Sequence, residues 1–329
     1  MYEKSYHGNE DISGYTFLVT GGAGFIGSHI TEYLLRQGAG EVRVLDNLAT
    51  GYQHNIDYLS SVGKVNFING DITDLETCHN ACKGVDYVLH QAALGSVPRS
   101  LAHPELTTAA NVTGFVNMLI AAKDSGVKRL VYASSSSVYG DIEDSPKVEE
   151  RIGKQLSPYA VTKYTNELFA QVFHRCYGLE IIGLRYFNIF GPRQNPNGAY
   201  AAVIPKFIAA LLNEEPVYID GDGGQTRDFT FVANAVQANI KALFAPNEAV
   251  NEVYNIAVGE NFSLNQMYTY LQELTGKQQA AINRETRPGD VRNALANIAK
   301  AQKLMGYNPE YTFQQGLAKT VESYQAMAK

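Results

Sequence analysis

From Tyr15 onward, short apolar runs alternate with longer stretches in which apolar residues recur every three or four positions. The short runs lack a regular polar alternation, which is typical of parallel strands buried on both faces, and the longer stretches indicate amphipathic helices. The predicted strands are residues 15–21, 41–47, 64–71, 85–93, 129–135, 179–191 and 252–259. The predicted helices are residues 25–37, a segment ending at Cys82, and residues 107–125, 158–177, 232–244, 264–275 and 299–304, while the segment between residues 47 and 64 is predicted as a loop. This rhythm predicts an α/β fold with a parallel sheet covered by helices on both faces.

The pattern becomes irregular after GPRQNPNG at residues 191–198, where glycine and proline are dense. We therefore predict a first domain over residues 1–191 and a smaller C-terminal α/β lobe over residues 192–329. The helix and strand predicted within residues 230–258 resemble the earlier units, so we expect the chain to return to the first domain there.

Composition narrows the class of protein. The chain has 329 residues, of which 45% are hydrophobic and 18% charged, and no apolar run approaches the ~20 residues needed to cross a bilayer. A formal net charge of -6 argues against binding to nucleic acid or to an anionic membrane, both of which favour a basic surface. The polar, acidic start has no signal-peptide pattern, which predicts a cytoplasmic protein. Cys78, Cys82 and Cys176 lack the spacing of a zinc site, so we predict inert thiols and no metal.

A glycine motif, VTGGAGFIGSHI, directly follows the first predicted strand. Gly21, Gly24 and Gly27 would allow a tight turn and a close backbone approach to a pyrophosphate at a helix N-terminus. Asp46 ends the second strand nineteen positions after Gly27, where an acid that binds an adenosine ribose is expected. A carboxylate there repels a 2′-phosphate, which predicts a Rossmann-like, doubly wound domain that binds NAD rather than NADP. The alternatives are a simple strand-to-helix turn and, for Asp46, a loop cap.

A second motif, SPYAVTK, places Tyr159 and Lys163 four residues apart on a predicted helix, so their side chains share one face. A tyrosine has a pKa of about 10, but a neighbouring ammonium and a positive nicotinamide both favour its phenolate form, which can act as a base. A serine from the run of residues 134–137 could hold the reacting oxygen in line with the tyrosine. The alternative is a solvated helix face, which the order of glycine loop, serine run and Tyr-Lys pair disfavours.

Taken in order, TGGAGFIGSH, LDNLATG, GDITD, HQAA, YASSSSVYG, SPYAVTK, LRYFNIFGPRQ and RDFTFV resemble the extended short-chain dehydrogenase/reductase superfamily, in its sugar-nucleotide epimerase and dehydratase branch. The segments HQAALGSVPRS, SPYAVTKY and PNGAYAAVIPK are most similar to bacterial UDP-N-acetylglucosamine 4-epimerases. The resemblance covers nearly the whole chain.

The resemblance implies a set of site residues. It implies catalytic roles for Ser135, Tyr159 and Lys163. It implies cofactor contacts at Gly21, Gly24, Phe25, Ile26, Gly27, Asp46, Asn47, Asp71, Ile72, Gln91, Tyr159, Lys163, Tyr186 and Phe187. It implies UDP-sugar contacts at Ser96, Ser135, Ser136, Asn188, Val203, Lys206, Tyr218, Arg227, Arg287, Asp290 and Ala294.

Two departures from related enzymes predict the reaction and the substrate. Related 4,6-dehydratases carry Thr-Asp-Glu where this chain has Ser135, Ser136 and Ser137, so the acid and base that remove water are replaced by hydroxyls. Galactose-type epimerases carry a bulky tyrosine where RPGDVRNALAN aligns Ala294, and a small side chain there leaves room for an N-acetyl group. We expect reversible 4-epimerisation of UDP-N-acetylglucosamine and UDP-N-acetylgalactosamine through a 4-keto sugar, with tightly bound NAD.

Other functions stay open at this stage. A 4-epimerase of UDP-glucose and UDP-galactose or of UDP-glucuronate would use the same residues. An NAD-binding regulator without catalysis is disfavoured by the intact Tyr159 and Lys163. The superfamily commonly dimerises through two helices per subunit, so the resemblance also implies a homodimer formed by the helices that carry Asn111 and Tyr159.

Overall fold

The computed structural model describes residues 1–197, 201–285 and 292–327, apart from the side chain of Met327. The strands are β1 (Thr16–Thr20), β2 (Glu41–Asp46), β3 (Val65–Asn69), β4 (Tyr87–His90), β5 (Arg129–Ser135), β6 (Glu180–Tyr186), β7 (Ile189–Phe190), β8 (Tyr218–Asp220), β9 (Thr226–Arg227), β10 (Thr230–Phe231), β11 (Glu252–Ile256), β12 (Phe262–Ser263), β13 (Ile282–Arg284) and β14 (Asn293–Ala294). The helices are α1 (Phe25–Arg36), α2 (Gln53–Val62), α3 (Leu75–Cys82), α4 (Val97–Ala102), α5 (Pro104–Thr108), α6 (Gly114–Asp124), α7 (Pro158–Tyr177), α8 (Val203–Leu212), α9 (Val232–Leu243), α10 (Leu264–Thr275), α11 (Ala299–Met305) and α12 (Phe313–Met327).

Seven parallel strands form the central sheet, in the order β3-β2-β1-β4-β5-β6-β11. The chain moves outward from β1 to β3 and then resumes on the other side of β1 with β4. This reversal makes the carboxyl ends of β1 and β4 the place where an open α/β sheet binds ligands. The predicted fold class, a Rossmann-like doubly wound parallel sheet, is confirmed.

Helices cover both faces of the sheet. On one face α1 packs against α9, and on the other α3, α6 and α7 pack side by side. The strands between them are almost fully buried, as in β6, where six of seven residues are buried. Burial on both faces explains why these strands read as continuous apolar runs.

Most predicted helices agree with the structure to within a residue or two, and α7 and α10 agree at both ends. The predicted helix over residues 107–125 contains a π-helical turn at Ala109–Thr113 between α5 and α6. The loop predicted between residues 47 and 64 is wrong, because α2 lies there. Only Asn55, Ile56 and Leu59 of α2 are buried, which leaves a weak apolar pattern.

Three further helices, α4, α8 and α12, have no counterpart in the prediction. In α12 the buried residues Phe313, Leu317, Val321 and Tyr324 follow a helical period, but Gly316 interrupts it. A Cβ on Gly316 would lie 2.6 Å from the Cβ of Phe231, so this glycine allows a close approach of α12 to β10. The glycine that weakens the helical pattern is therefore required by packing.

The predicted C-terminal lobe contains α8, α10 and α12. Three small sheets pair β7 with β10, β8 with β13, and β9 with both β12 and β14. Within residues 230–258 the chain rejoins the large sheet, because β11 is its edge strand beside β6. The domain division at residue 191 stays a prediction.

The structure also bears on membrane spans, metal sites and the three cysteines. Among the residues described, no helix is long and apolar enough to cross a membrane, and no group of three or more His, Cys, Asp or Glu side chains could hold a metal ion. Burial raises the pKa of the Cys78 and Cys82 thiols to about 12, so both are protonated at neutral pH. Cys176 is exposed. A cytoplasmic location stays a prediction.

Candidate active site

Glycines shape the turn between β1 and α1. Gly21 has a left-handed backbone, with φ +68°, and a Cβ there would lie 2.7 Å from a backbone nitrogen of the loop after β4. A Cβ on Gly27 would lie 2.2 Å from the Gly21 carbonyl oxygen. Gly24 caps α1 without a side-chain hydrogen bond, so the first backbone N–H groups of the helix are not covered by a cap. Phe25 and Ile26, the first residues of α1, are partly exposed.

Asp46 lies at the carboxyl end of β2 and binds this turn. Its two carboxylate oxygens accept the backbone N–H groups of Ala23, at 3.0 Å, and Leu48, at 2.8 Å. Burial raises the pKa of this carboxyl group, and the two hydrogen bonds oppose that effect. Asp46 thus performs the loop-capping role that the sequence left open, at the position where a ribose contact is predicted.

Asn47 and Asp71 follow the carboxyl ends of β2 and β3, on the same edge of the sheet as Asp46. Asn47 donates to Asp71 at 2.7 Å, and Asp71 also accepts the backbone N–H of Thr73 at 2.8 Å. Burial favours a higher pKa for Asp71, but its hydrogen bonds with Thr73 and Asn47 outweigh burial and lower the pKa. The side chain of Ile72 is nearly buried, and a Cβ on Gly114 of α6 would lie 2.5 Å from its Cδ1.

Gln91 and Tyr186 meet across the sheet although 95 residues separate them. The Tyr186 hydroxyl donates to Gln91 Oε1 at 3.0 Å and accepts from Asn239 Nδ2 at 2.7 Å. The Gln91 side chain in turn donates to Asn239 Oδ1 at 3.0 Å. Asn239 closes this three-member network and was missed from the sequence, because it lies inside helix α9 without any motif.

Phe187, predicted beside the nicotinamide, is fully buried. Its ring lies 5.9 Å from the Tyr139 ring, between centroids, and belongs to a small core cluster. The structure therefore places this ring in the protein core, while the hydroxyl of its neighbour Tyr186 bonds Gln91.

The four serines occupy different environments. Ser134 is buried at the end of β5 and donates to Glu167 Oε1 at 2.6 Å. Ser135 follows it, accepts the Ser137 backbone N–H at 3.1 Å, and lies beside Tyr159. Ser136 begins the short 3-10 helix after the strand and is partly exposed. The alternation of side chains along a strand thus separates Ser134 from Ser135.

Tyr159 and Lys163 lie on one face of α7, as the spacing predicts. Burial raises the pKa of Tyr159, and the neighbouring Ser135 hydroxyl partly opposes this rise. Lys163 is 3% exposed and donates to the Ala133 carbonyl oxygen at 2.8 Å. Burial lowers the pKa of its ammonium group to about 8, against the opposing effect of the Glu167 charge. The ammonium is therefore a protonated but readily titrated group at the end of β5.

Asn111 connects α7 to the loop that carries Ser96. Its side chain bonds the Leu94 backbone in both directions, at 2.8 and 3.2 Å, and donates to Thr162 Oγ1 at 3.1 Å. The π-helical turn contains Asn111, and such turns are often found at functional sites. Ser96 has φ +111° and caps α4 through its hydroxyl.

On the lobe side, Arg227 and Ala294 are paired residues of β9 and β14. Asp228, next to Arg227, is fully buried and accepts the backbone N–H groups of Val258 and Gly259, each at 3.0 Å. Burial raises the pKa of Asp228 to about 7, and the backbone hydrogen bonds oppose the rise. This carboxyl group fixes the backbone around Arg227 and was not singled out from the sequence.

The remaining lobe residues are more exposed. Asn188 has φ +38° and donates to the Asp228 carbonyl oxygen at 3.0 Å. Val203 is the first residue of α8 and is partly exposed, Lys206 on the same helix is exposed, and Tyr218 is 41% exposed with the Arg284 guanidinium 3.5 Å from its ring centroid. Two predicted substrate residues, Arg287 and Asp290, lie outside the described residues.

The cradle at the glycine turn fits NAD. Side chains at Gly21 and Gly27 would collide with backbone, which leaves the N-terminus of α1 open to a pyrophosphate. Asp46 supplies a carboxylate at the end of β2, and Lys163 and Tyr159 lie at the end of β5 and on α7. These groups lie along the carboxyl edge of the sheet, with the predicted ribose contact at one end and the predicted catalytic residues at the other.

Comparison with known proteins agrees with this geometry. The model of the NAD dependent epimerase/dehydratase family matches residues 17–257. A putative UDP-glucose 4-epimerase of Methanocaldococcus jannaschii is 38% identical over 92% of this chain and 96% of its own length. A UDP-glucuronate 4-epimerase of Thermodesulfobacterium geofontis is 36% identical, over 93% of this chain and 94% of its own length. The structure of a UDP-N-acetylglucosamine 4-epimerase from Methanobrevibacter ruminantium M1, in complex with UDP-N-acetylmuramic acid, superposes with a TM-score of 0.90 at 37% identity, covering 95% of this chain and 99% of that one.

The matches extend along nearly the whole chain, and both relatives are more than 30% identical to it. They confirm the resemblance, the prediction of an enzyme and the cofactor NAD. This protein belongs to the NAD-dependent epimerase/dehydratase family.

Proposed function

We propose that the protein is a UDP-sugar 4-epimerase that interconverts UDP-N-acetylglucosamine and UDP-N-acetylgalactosamine. The observation that carries the proposal is the contact between Ser135 and Tyr159 beside a buried Lys163. When bound, NAD supplies the reversible two-electron oxidation that the 4-position of the sugar must undergo.

The proton is handled by the chain itself. Tyr159 takes the proton of the 4-hydroxyl group and returns it after the sugar has turned, while Ser135 holds the reacting oxygen in line. Since burial raises the pKa of Tyr159, its phenolate form depends on positive charge nearby. Lys163, one helical turn away, supplies such a charge.

Epimerisation rather than dehydration is supported by the residues next to Ser135. Ser136 and Ser137 stand where dehydratases carry an acid pair, and a serine hydroxyl is too weak an acid or base to remove water from the sugar. The site can therefore move the proton of the 4-hydroxyl group, while elimination across C5 and C6 lacks its acid and base.

The N-acetylated substrate is supported by the small side chain of Ala294. Ala294 pairs with Arg227, so the strand at this position lies beside a guanidinium that is suited to a diphosphate. The M. ruminantium neighbour acts on an N-acetylated sugar, while the M. jannaschii and T. geofontis relatives carry the names of UDP-glucose and UDP-glucuronate epimerases. Those two substrates form the second candidate function.

The test is a comparison of kcat/KM on UDP-N-acetylglucosamine, UDP-glucose and UDP-glucuronate with purified protein. We expect the highest value on the acetylated sugar and no steady increase in NADH absorbance, because epimerisation has no net redox change. A higher value on an unacetylated sugar would contradict the substrate, and continuous NADH formation would contradict the reaction.

We also propose a homodimer formed through α7 and the helices beside it. Val161, Leu168 and Val172 of α7 are 51%, 46% and 40% exposed, and Leu106 of α5 is 54% exposed. Exposed apolar side chains on neighbouring helices are typical of a protein interface. Sedimentation equilibrium should give the mass of two chains, and the mass of one chain would exclude the dimer.

A further inference from the structure

A fully buried ion pair lies behind the predicted catalytic residues. Arg185 donates to the two carboxylate oxygens of Glu167 at 2.9 and 2.7 Å, and the two side chains are 3% and 2% exposed. The Arg185 guanidinium also donates to the Glu149 carbonyl oxygen at 2.9 Å and lies 4.9 Å from the centroid of the Tyr139 ring. A buried pair of this kind is weak evidence for stability, because removing both charges is often harmless. A contribution to stability therefore does not account for this buried pair.

The pair connects the elements that carry the predicted chemistry. Glu167 lies one helical turn after Lys163 on α7, and it accepts the Ser134 hydroxyl at 2.6 Å. Ser134 directly precedes Ser135 on β5, and Arg185 directly precedes Tyr186 on β6. The Glu167 carboxylate, which belongs to α7, therefore contacts β5 and β6 at the residues that directly precede Ser135 and Tyr186.

We propose that Glu167 is a positioning residue of the reaction: its carboxylate fixes the Ser135 strand end against the helix of Tyr159 and keeps a negative charge behind the Lys163 ammonium. This inference rests on the proposed function. Glu167 does not touch the sugar in this role, because it lies behind Ser134 and is buried.

The charges around Lys163 make Glu167 the group that keeps it protonated. Burial lowers the pKa of Lys163 to about 8, and Glu167 acts in the opposite direction. His90 of β4 is buried and neutral, because burial and then the Lys163 charge lower its pKa to about 3.

The groups behind Glu167 add no second negative charge near Lys163. Tyr132 of β5 is buried with its pKa raised well above the usual value, so it stays neutral. Arg185 of β6 carries a positive charge, which Glu167 compensates. Burial also raises the pKa of Tyr139, to about 12, so this residue is neutral as well. Tyr159, on the same helix as Lys163, is the group that the ammonium has to influence.

Loss of the Glu167 charge should therefore move the pH profile of the reaction to lower pH. The Lys163 ammonium would lose its proton at lower pH, and Arg185 would become an uncompensated charge that favours this loss. The same change in charge favours the Tyr159 phenolate, but more weakly, because Tyr159 lies about two helical turns from Glu167. The basic limb of the profile should therefore move further than the acidic limb. Because the two groups are coupled, the limbs of the pH profile belong to the pair rather than to either residue.

The experiment compares Glu167→Gln with Glu180→Gln in the NAD-loaded full chain. Glu180 pairs with Arg129 at the opposite end of the same two strands, at 2.7 Å, so its variant removes an ion pair far from the site. For Glu167→Gln we expect a fall in kcat of about tenfold, and a basic limb of the pH profile that moves to lower pH by about one pH unit, while the acidic limb moves less and in the same direction. Glu180→Gln should keep the wild-type limbs. Unchanged limbs in Glu167→Gln would overturn the proposal.

A double variant separates positioning from folding. Glu167→Gln combined with Arg185→Met removes both buried charges, so the uncompensated guanidinium is absent and folding should be retained. We expect the basic limb of its pH profile to stay at lower pH than that of the wild type, since the negative charge behind Lys163 is still missing. A return to the wild-type profile would show that Glu167 only neutralises Arg185.

A substrate-independent readout distinguishes failure of this inference from failure of the proposed function. Nuclear magnetic resonance titration of the Lys163 side chain, assigned with Lys163→Met, reports the ionisation of Lys163 without any sugar. We expect this ionisation to shift to lower pH in Glu167→Gln. If no UDP-sugar is epimerised but the shift occurs, the proposed function fails and the electrostatic role of Glu167 stands. If the sugar is epimerised and no shift occurs, the role of Glu167 fails.

Discussion

The two sides of the site differ in how firmly the protein holds its own side chains. On the side of the large sheet, Asp46, Gln91, Lys163 and Tyr186 are each bound by backbone or side-chain groups of other elements. On the lobe side, Lys206 and Tyr218 are exposed, and they lie near the start of α8 and on the three-residue strand β8.

This difference indicates which part of the site is already ordered before a ligand binds. A site for a tightly bound cofactor needs side chains held in place, because ordering them on binding would cost conformational entropy. Exposed residues on a lobe can adapt to a sugar and vary between relatives without disturbing the sheet. Under the proposed function, the sheet side carries the reaction and the lobe side selects the substrate, and four substitutions test this division.

Tyr159→Phe should have the largest effect. It removes the hydroxyl group that exchanges the proton but keeps the ring, so we expect kcat to fall about a thousandfold while NAD stays bound. The measurement is epimerase activity together with the NAD content of the purified protein. Tyr177→Phe, at the exposed end of the same helix, serves as the control and should be fully active. Near-normal activity of Tyr159→Phe would show that this tyrosine, on the sheet side of the site, does not exchange the proton.

Ser135→Ala should lower kcat about a hundredfold, because it removes the hydroxyl that contacts Tyr159 and holds the reacting oxygen. Ser136→Ala is the matched control, and we expect it to raise KM more than it lowers kcat. Steady-state kinetics of the two variants decide the register of the serine run. An equal loss of kcat in both variants would mean that neither serine has the role proposed for it.

Gly27→Ala should reduce the NAD retained by the purified protein several-fold, because its Cβ would lie 2.2 Å from the Gly21 carbonyl oxygen and must displace the turn. Gly14→Ala is the control, since nothing lies within 4 Å of a Cβ at that position and its φ is ordinary. The ratio of bound NAD to protein, from absorbance after release of the cofactor, measures the effect. Full retention in Gly27→Ala would show that the turn is not preorganised.

Ala294→Tyr should have the smallest and most selective effect. A bulky ring would occupy the space assigned to the N-acetyl group, so we expect kcat/KM for UDP-N-acetylglucosamine to fall about tenfold while the value for UDP-glucose changes little. Ala294→Ser, which adds one hydroxyl group, is the control for any disturbance of β14. An equal loss on both sugars would place the determinant of specificity elsewhere.

The sequence predicted the sheet side of the site well, and the reason is physical. Glycines that allow a close approach, an acid at a strand end and a Tyr-Lys pair on one helix face are local requirements, so they leave local motifs. Asn239 and Glu167 left no such signal, because their roles depend on residues more than fifty positions away or on a neighbouring strand. The spacing of Glu167, four residues after Lys163, was the one available hint.

Helix predictions failed where tertiary packing overrides local preference. The buried face of α2 consists of three residues, and Gly316 in α12 is present because Phe231 lies against it. Neither fact can be seen in a window of ten residues. In the lobe, strands of two or three residues, such as β9 and β14, carry no period at all.

By itself, the sequence determined the parallel sheet, and it predicted the edge for NAD and the residue types proposed to exchange the proton, because each depends on a pattern within one or two consecutive elements. Only the tertiary structure decided which serine faces Tyr159 and which faces Glu167, that Asn239 joins Gln91 to Tyr186, and that Asp228 fixes the backbone beside Arg227. These contacts join distant parts of the chain, and their partners are set by strand order and side-chain direction, which emerge only when the whole sheet and its helices pack together.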